Sequence, residues 1–258
     1  MSRGRPLLGD RRAWAWLTLA GCVTVVVSLG LLFSGQTGPD GFDNAVDSPF
    51  VTFFGGHRDL LLWLALPGTL VPAIAVSAAV AVGALFAGRL NGAVLAVTAV
   101  PVATGLDDAL LKHLFHRTYL GQLAFPSGHT TSAAALAATL AVLLLVPPQG
   151  AGTRAARVAI AAAAFAATAV TAVGVIGLRW HYFTDTLAGA AVGAGTVCAL
   201  SLVLDLAWQR RPAARGRPAE PARDAGTAKP HGLAGPVPMP GQGAGSGRLD
   251  SETEFAAA

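Results

Sequence analysis

Six stretches of this 258-residue chain run for seventeen or more residues without an Asp, Glu, Lys or Arg: between Arg12 and Asp40, Asp59 and Arg89, Arg89 and Asp107, Arg117 and Arg154, Arg157 and Arg179, and Asp185 and Asp205. A helix needs roughly 17 to 25 apolar residues to cross a bilayer, so each stretch can supply one span. In hydrocarbon a single segment must satisfy its own backbone hydrogen bonds, which makes all six helices. The chain is 53% hydrophobic and 12% charged, against about 25% charged in soluble domains. The fold class expected is therefore an all-α, six-span transmembrane bundle, with spans near 13–34, 60–87, 90–110, 130–147, 157–177 and 184–207.

Runs such as "AAALAATLA" at 133–141 and "AIAAAAFAATAV" at 159–170 put small residues where helix backbones can approach closely. Pro67 and Pro72 should kink the second span. The first apolar run exceeds the 7–15 residues of a typical signal-peptide core, so it is counted as a span following a short N-terminal segment, 1–12. The segment 13–208 forms the membrane domain. Residues 209–258, rich in Pro, Gly and Ala with no apolar period, read as a disordered appendage. Cys22 and Cys198 both lie within spans and suggest neither a disulfide framework nor a metal cluster.

Orientation follows from the basic residues. With the N-terminus in the cytoplasm, the inner segments hold Arg3, Arg5, Arg11, Arg12, Arg89, Arg154, Arg157, Arg210, Arg211, Arg215 and Arg217, while the outer ones hold only Arg58, Lys112, Arg117 and Arg179. This bias places both termini in the cytoplasm. The net charge of +4 is carried mostly by those inner arginines, which suit anionic headgroups better than nucleic acid.

Lys112, Arg117, His129, Arg179, His181 and Asp185 come from three separate segments and fall on the outer face, where ionisable groups at membrane depth are functional candidates. His181 and Asp185 are four apart, so on one helical face the carboxylate can accept the imidazole N–H and leave the other nitrogen as base or nucleophile. An interfacial pair that satisfies only itself is the alternative. In "FPSGHTTS", Pro126 and Gly128 hold a turn, Ser127 offers a hydroxyl, and the N-terminus of the following helix offers backbone N–H groups to an anion. Ser127, Thr130 or Thr131 could equally be a plain helix cap. Asp107 or Asp108 can support Lys112 across one helical turn. His113 and His116 lack a third partner for a metal, and Trp180 and Tyr182 belong to an interfacial aromatic belt. The segment 36–58 either lies on the outer interface or merely links two spans. A transporter of anions would instead bury its charges near the bilayer midplane in paired, broken helices.

The set Lys112 to Arg117, "PSGH" at 126–129 and "RWHYFTD" at 179–185 resembles the three-part signature of the type 2 phosphatidic acid phosphatase superfamily, whose membrane members include undecaprenyl diphosphate phosphatases. The resemblance covers roughly residues 10–208. That family's first motif usually reads Lys, six residues, Arg, Pro, whereas here Arg117 follows Lys112 after four residues and Thr118 comes next. Its third motif carries an arginine six residues before the histidine, where this chain has Val175, with Arg179 two before His181 instead.

The resemblance implies metal-free phosphoryl transfer from a membrane lipid phosphate or diphosphate at the outer leaflet, with an isoprenoid diphosphate first and phosphatidate or phosphatidylglycerophosphate close behind. His181 would be the nucleophile, Asp185 its orienting carboxylate and His129 the general acid. Lys112, Arg117, Ser127, Gly128 and Arg179 would bind the phosphate. No cofactor is implied. Soluble vanadate-dependent haloperoxidases share the superfamily's phosphate pocket, but six spans exclude that relative.

Overall fold

The computed structural model describes residues 6–146 and 153–210. The helices are α1 (Arg12–Phe33), α2 (Gly41–Phe54), α3 (Arg58–Ala65), α4 (Leu70–Phe86), α5 (Leu90–Leu106), α6 (Lys112–Phe115), α7 (Gly128–Leu145), α8 (Arg154–Gly177) and α9 (Phe183–Gln209), with a short hairpin of β1 (Thr118–Tyr119) and β2 (Gln122–Leu123). Among the described residues five helices are long and apolar enough to cross a membrane, and the bent pair α3–α4 makes a sixth span. Residues 211–258, which read as disorder, lie outside the described residues.

The bend between α3 and α4 is 40° and sits at the turn Leu66–Gly68, which carries Pro67. Pro72 does not add a kink: it lies in the first turn of α4, where an N–H would have no intrahelical partner anyway. The third span runs on past its expected end. A π-helical turn, Asp107–Leu111, joins α5 to α6 and carries the apolar segment through to Phe115. The segment 41–54 is not a loop. At 14 residues, about 21 Å, α2 is too short to span, and it lies across α8 and α9 with Asp40 capping its start by accepting the Asp43 N–H at 2.7 Å.

The bundle is held by close backbone contact. A side chain added at Gly193 would collide with the Thr131 carbonyl and, at 2.7 Å, the Ala135 nitrogen, and one at Gly189 would strike the Ser127 carbonyl. These two positions let α9 lie directly on α7. Thr131 Oγ1 donates across the same seam to the Gly189 carbonyl at 3.1 Å. The core between α4, α5, α7 and α9 is largely alanine, with Leu95, Val100 and Val197 filling the wider gaps.

At one end of the bundle Asp205 accepts from the backbone N–H groups of Leu7 and Leu8 at 2.6 and 3.1 Å, tying the start of the chain to the end of α9. The opposite end gathers the last turns of α1 and α8, helix α2, the turn at Gly68, the hairpin, and the first turns of α7 and α9.

Candidate active site

A cavity of about 470 Å³ opens at that second end. Lys112, Gly128, His129, Arg179 and His181 all line it, so three distant segments do converge. Its other walls come from the bend, Gly68 to Leu70, and from the hairpin, Tyr119 to Leu123. Leu120 and Gly121, both at positive φ, make the tight turn that lets the hairpin overhang the opening.

His181 stands before α9, not on it. Its Nδ1–H donates to the Ala124 carbonyl at 2.8 Å, and since a carbonyl can only accept, the lone pair must sit on Nε2. The residue is 8% exposed. Burial, then repulsion from His129 and Lys112, pushes the imidazole pKa down to about 3 despite the Ala124 hydrogen bond. The ring is neutral throughout the physiological range, with an unprotonated Nε2. His129, the second residue of α7, faces it with ring centroids 6.2 Å apart, and Trp180 packs on His129 at 5.3 Å.

Asp185 is not hydrogen-bonded to the imidazole: Oδ2 is 3.9 Å from Nδ1. The four-residue spacing matters only within a helix, and α9 begins at Phe183. Asp185 is therefore in the first turn, where Oδ2 accepts the Tyr182 N–H at 2.9 Å and Oδ1 accepts from Arg117 at 2.7 Å. The carboxylate fixes the residue next to His181, so it orients the ring through the backbone.

Arg117 does not reach the cavity. It is fully buried, with Nη2 donating to Asp43 at 2.5 Å and Nη1 donating to both Asp185 and Thr184 at 2.7 Å, and its guanidinium lies 4.4 Å from the ring centres of both Phe33 and Tyr182. A guanidinium already bonded to two carboxylates and covered by two rings is a structural pivot, not a free phosphate ligand on the cavity wall. Ser127 is also buried away from the cavity, and its hydroxyl has no partner among the described residues. It caps α7 without a side-chain cap bond, and Thr130 donates to the Ser127 carbonyl, so no side chain covers the first N–H groups of α7 beside Gly128.

Two cations remain at the cavity wall. Lys112 is held by Asp108 at 2.6 Å, with Asp107 3.9 Å away, an arrangement set by the π-turn. Arg179 has no ion pair among the described residues. It follows α8 in the left-handed region, φ +59°, as the Trp180 N–H reaches back to the Val175 carbonyl at 2.9 Å. That position at a helix end favours glycine, and strain held by a larger residue marks a functional constraint. Arg179→Gly should relieve about 1 kcal/mol of backbone strain and raise the thermal midpoint, while kcat/KM falls by about 10²-fold. Parallel melting and kinetics check this pair of opposite signs.

The segment 36–58 supplies residues that spacing arguments alone overlooked. Asp43 accepts the Thr184 N–H at 3.0 Å and its hydroxyl at 2.9 Å, and Asp47 accepts the Phe183 N–H at 3.2 Å. Together with Asp185 these carboxylates occupy the N-terminus of α9, where the helix dipole favours negative charge. The signal was present: Asp43 and Asp47 are four apart, one face of a helix opened by "PDG". Burial first, then repulsion from Asp43, pushes the Asp47 carboxyl up to about 7. A carboxyl with a folded pKa above its unfolded value binds its proton more tightly when folded, so stability falls as pH rises from about 4 to about 7. Asp47→Asn should therefore gain on the wild type in thermal midpoint steadily as pH rises from about 4 to about 7.

Among curated proteins none matches this chain. Its fold is similar to the crystal structure of a transmembrane PAP2-type phosphatidylglycerolphosphate phosphatase from Bacillus subtilis, with a TM-score of 0.61 and 16% identity over 75% of this chain and 98% of that one. A sequence profile of the PAP2 superfamily matches residues 73–209, from the start of α4 through the whole of α9, so the segments that carry His129 and His181 are within it and the chain belongs to the PAP2 superfamily.

Proposed function

We propose that this protein is an integral membrane phosphatase that cleaves a lipid phosphate through a phosphohistidine at His181, with the cavity opening to the extracytoplasmic side. The observation that carries this reading is the anchored, neutral imidazole of His181 facing a second histidine across a cavity that also presents Arg179, Lys112 and the uncapped start of α7. The positive-inside bias supports the sidedness.

The Nε2 lone pair of His181 attacks phosphorus, the bond from phosphorus to the leaving oxygen breaks, and His129 gives that oxygen its proton. Phosphorylation makes the His181 ring cationic, and its Nδ1–H keeps the Ala124 carbonyl as acceptor. Water then attacks phosphorus, His129 takes the water proton, and the N–P electrons return to Nε2 as inorganic phosphate leaves. Arg179, Lys112 and the α7 N–H groups hold the equatorial oxygens as charge builds there. No step draws on a metal ion, so activity should persist in excess EDTA.

Two substrate classes fit. The sequence resemblance puts an isoprenoid diphosphate first. The site's charge gives a reason to weigh a phospholipid with one terminal phosphate equally: Asp108 offsets Lys112 at the wall, leaving Arg179 as the unpaired cation, which suits one phosphoryl group better than two. Phosphatidylglycerophosphate, the substrate class of the structural neighbour, is of that kind. In either case the exposed Leu70 and Leu120 on the cavity wall offer an apolar side to the lipid chain. The test is phosphate release by the purified full chain from a prenyl diphosphate, phosphatidate and phosphatidylglycerophosphate. Release from one or more supports the reading, and release from none overturns it.

A further inference from the structure

The end of the bundle remote from the catalytic cavity holds a second cavity of about 320 Å³, where the last turn of α7 (Leu144, Leu145), the first turns of α8 (Arg154, Arg157, Val158) and Arg11 ahead of α1 meet. The length of α7 alone, 18 residues or about 26 Å, separates it from His129. Three guanidinium groups line this cavity, and no carboxylate among the described residues does.

Neighbouring arginines have visible work. Arg12 pairs with Asp205 at 3.3 Å, and Arg89 donates to the carbonyls of Leu143 and Val146, satisfying the C-terminus of α7. By contrast, the side chains of Arg11, Arg154 and Arg157 make no ion pair or hydrogen bond among the described residues. The Nε and Nη1 groups of Arg157 are buried and have no acceptor among the described residues.

The positive-inside bias asks only for basic residues on one side, and arginines splayed into water would satisfy it. It does not gather three like charges around one concavity or strip two N–H groups of solvent, both of which cost free energy unless an acceptor arrives from outside. The forked donors of arginine match a tetrahedral anion with several oxygens. Arg154 and Arg157 also stand in the first turn of a 24-residue helix, whose dipole favours an anion there.

We infer that this cavity is a second phosphate-binding site, independent of catalysis, in which Arg157 Nε and Nη1 donate to the anion and Arg11 and Arg154 flank it. The ligand is a phosphate group, either the phosphodiester of an anionic lipid headgroup or free inorganic phosphate.

The experiment uses the purified full chain in detergent, as wild type, Arg154→Gln/Arg157→Gln and, against failure of that pair to fold, the single variants Arg157→Gln and Arg11→Gln. Retention of phosphatidylglycerol and phosphatidylcholine is read by native mass spectrometry, and inorganic phosphate binding by equilibrium dialysis. The wild type should retain phosphatidylglycerol over phosphatidylcholine, each arginine removed should weaken retention by about fivefold, and lipid phosphate hydrolysis should stay at the wild-type rate. If only inorganic phosphate binding weakens in the variants, the site stands and its ligand is the free ion. Equal phosphatidylglycerol retention and equal phosphate binding in wild type and variants would overturn the proposal.

Discussion

His181→Ala should lower phosphate release by about 10⁴-fold or more, because removing a nucleophile leaves only binding and charge stabilisation. Neither His129, whose ring sits across the cavity, nor the Lys112 ammonium, which is held by Asp108, is placed to replace it. His181→Asn tests the same point with a smaller change of shape. His129→Ala should cost less, about 10²- to 10⁴-fold, and the loss should shrink for an aryl phosphate whose leaving group needs no proton. That contrast separates the two roles. Span count and expression should be unchanged in each variant, since neither ring contributes to the helix seams. The depressed pKa adds a pH signature: the imidazole stays neutral down to about pH 4, so any acid limb between pH 5 and 7 belongs to another group. The sign for stability is also fixed. The unfolded imidazole protonates near 6.5 and the folded one only near 3, so this residue lowers stability as pH falls through that interval.

The second large effect is expected far from the chemistry. Asp43→Asn removes one of the two carboxylates on the buried Arg117 guanidinium and places an amide N–H₂ among donors. Breaking a buried ion pair leaves an uncompensated charge and costs roughly 3–5 kcal/mol, enough to lower the thermal midpoint by about 10 °C. The start of α9 should loosen with it, moving His181 and reducing kcat by about 10²-fold with little change in KM, as a misplacement near 1 Å does. Arg117→Lys should not rescue the site, because an ammonium cannot bond Asp43, Thr184 and Asp185 as a fork does. A double-mutant cycle of Asp43→Asn with Arg117→Gln should show strong coupling. Additive losses would mean that α2 is only a linker.

These two sites show what the sequence made visible. Six uncharged runs gave the spans to within a few residues, because hydrocarbon tolerates so few alternatives. Sidedness arithmetic brought Lys112, His129, Arg179 and His181 to one end, where the cavity contains all four. Arg117 was misread for a physical reason: a charge looks the same in a sequence whether it faces a substrate or a carboxylate, and its partner Asp43 lies 74 residues away in a segment that looked like a connector. Asp185 was misread through its helix boundary. Two residues decide whether a four-residue spacing is one face of a helix or a cap. The Ala124 carbonyl, which fixes the tautomer of His181, carries no sequence signal at all, since any residue there offers the same oxygen.

The central claim is tested most directly by quenching the enzyme during turnover with a ³²P-labelled lipid phosphate and mapping the label. The account predicts an acid-labile, base-stable phosphoryl group on Nε2 of His181, absent from His181→Ala and accumulating in His129→Ala with an aryl phosphate. Label on another residue, or turnover that leaves no phosphoenzyme under any quench, would contradict it.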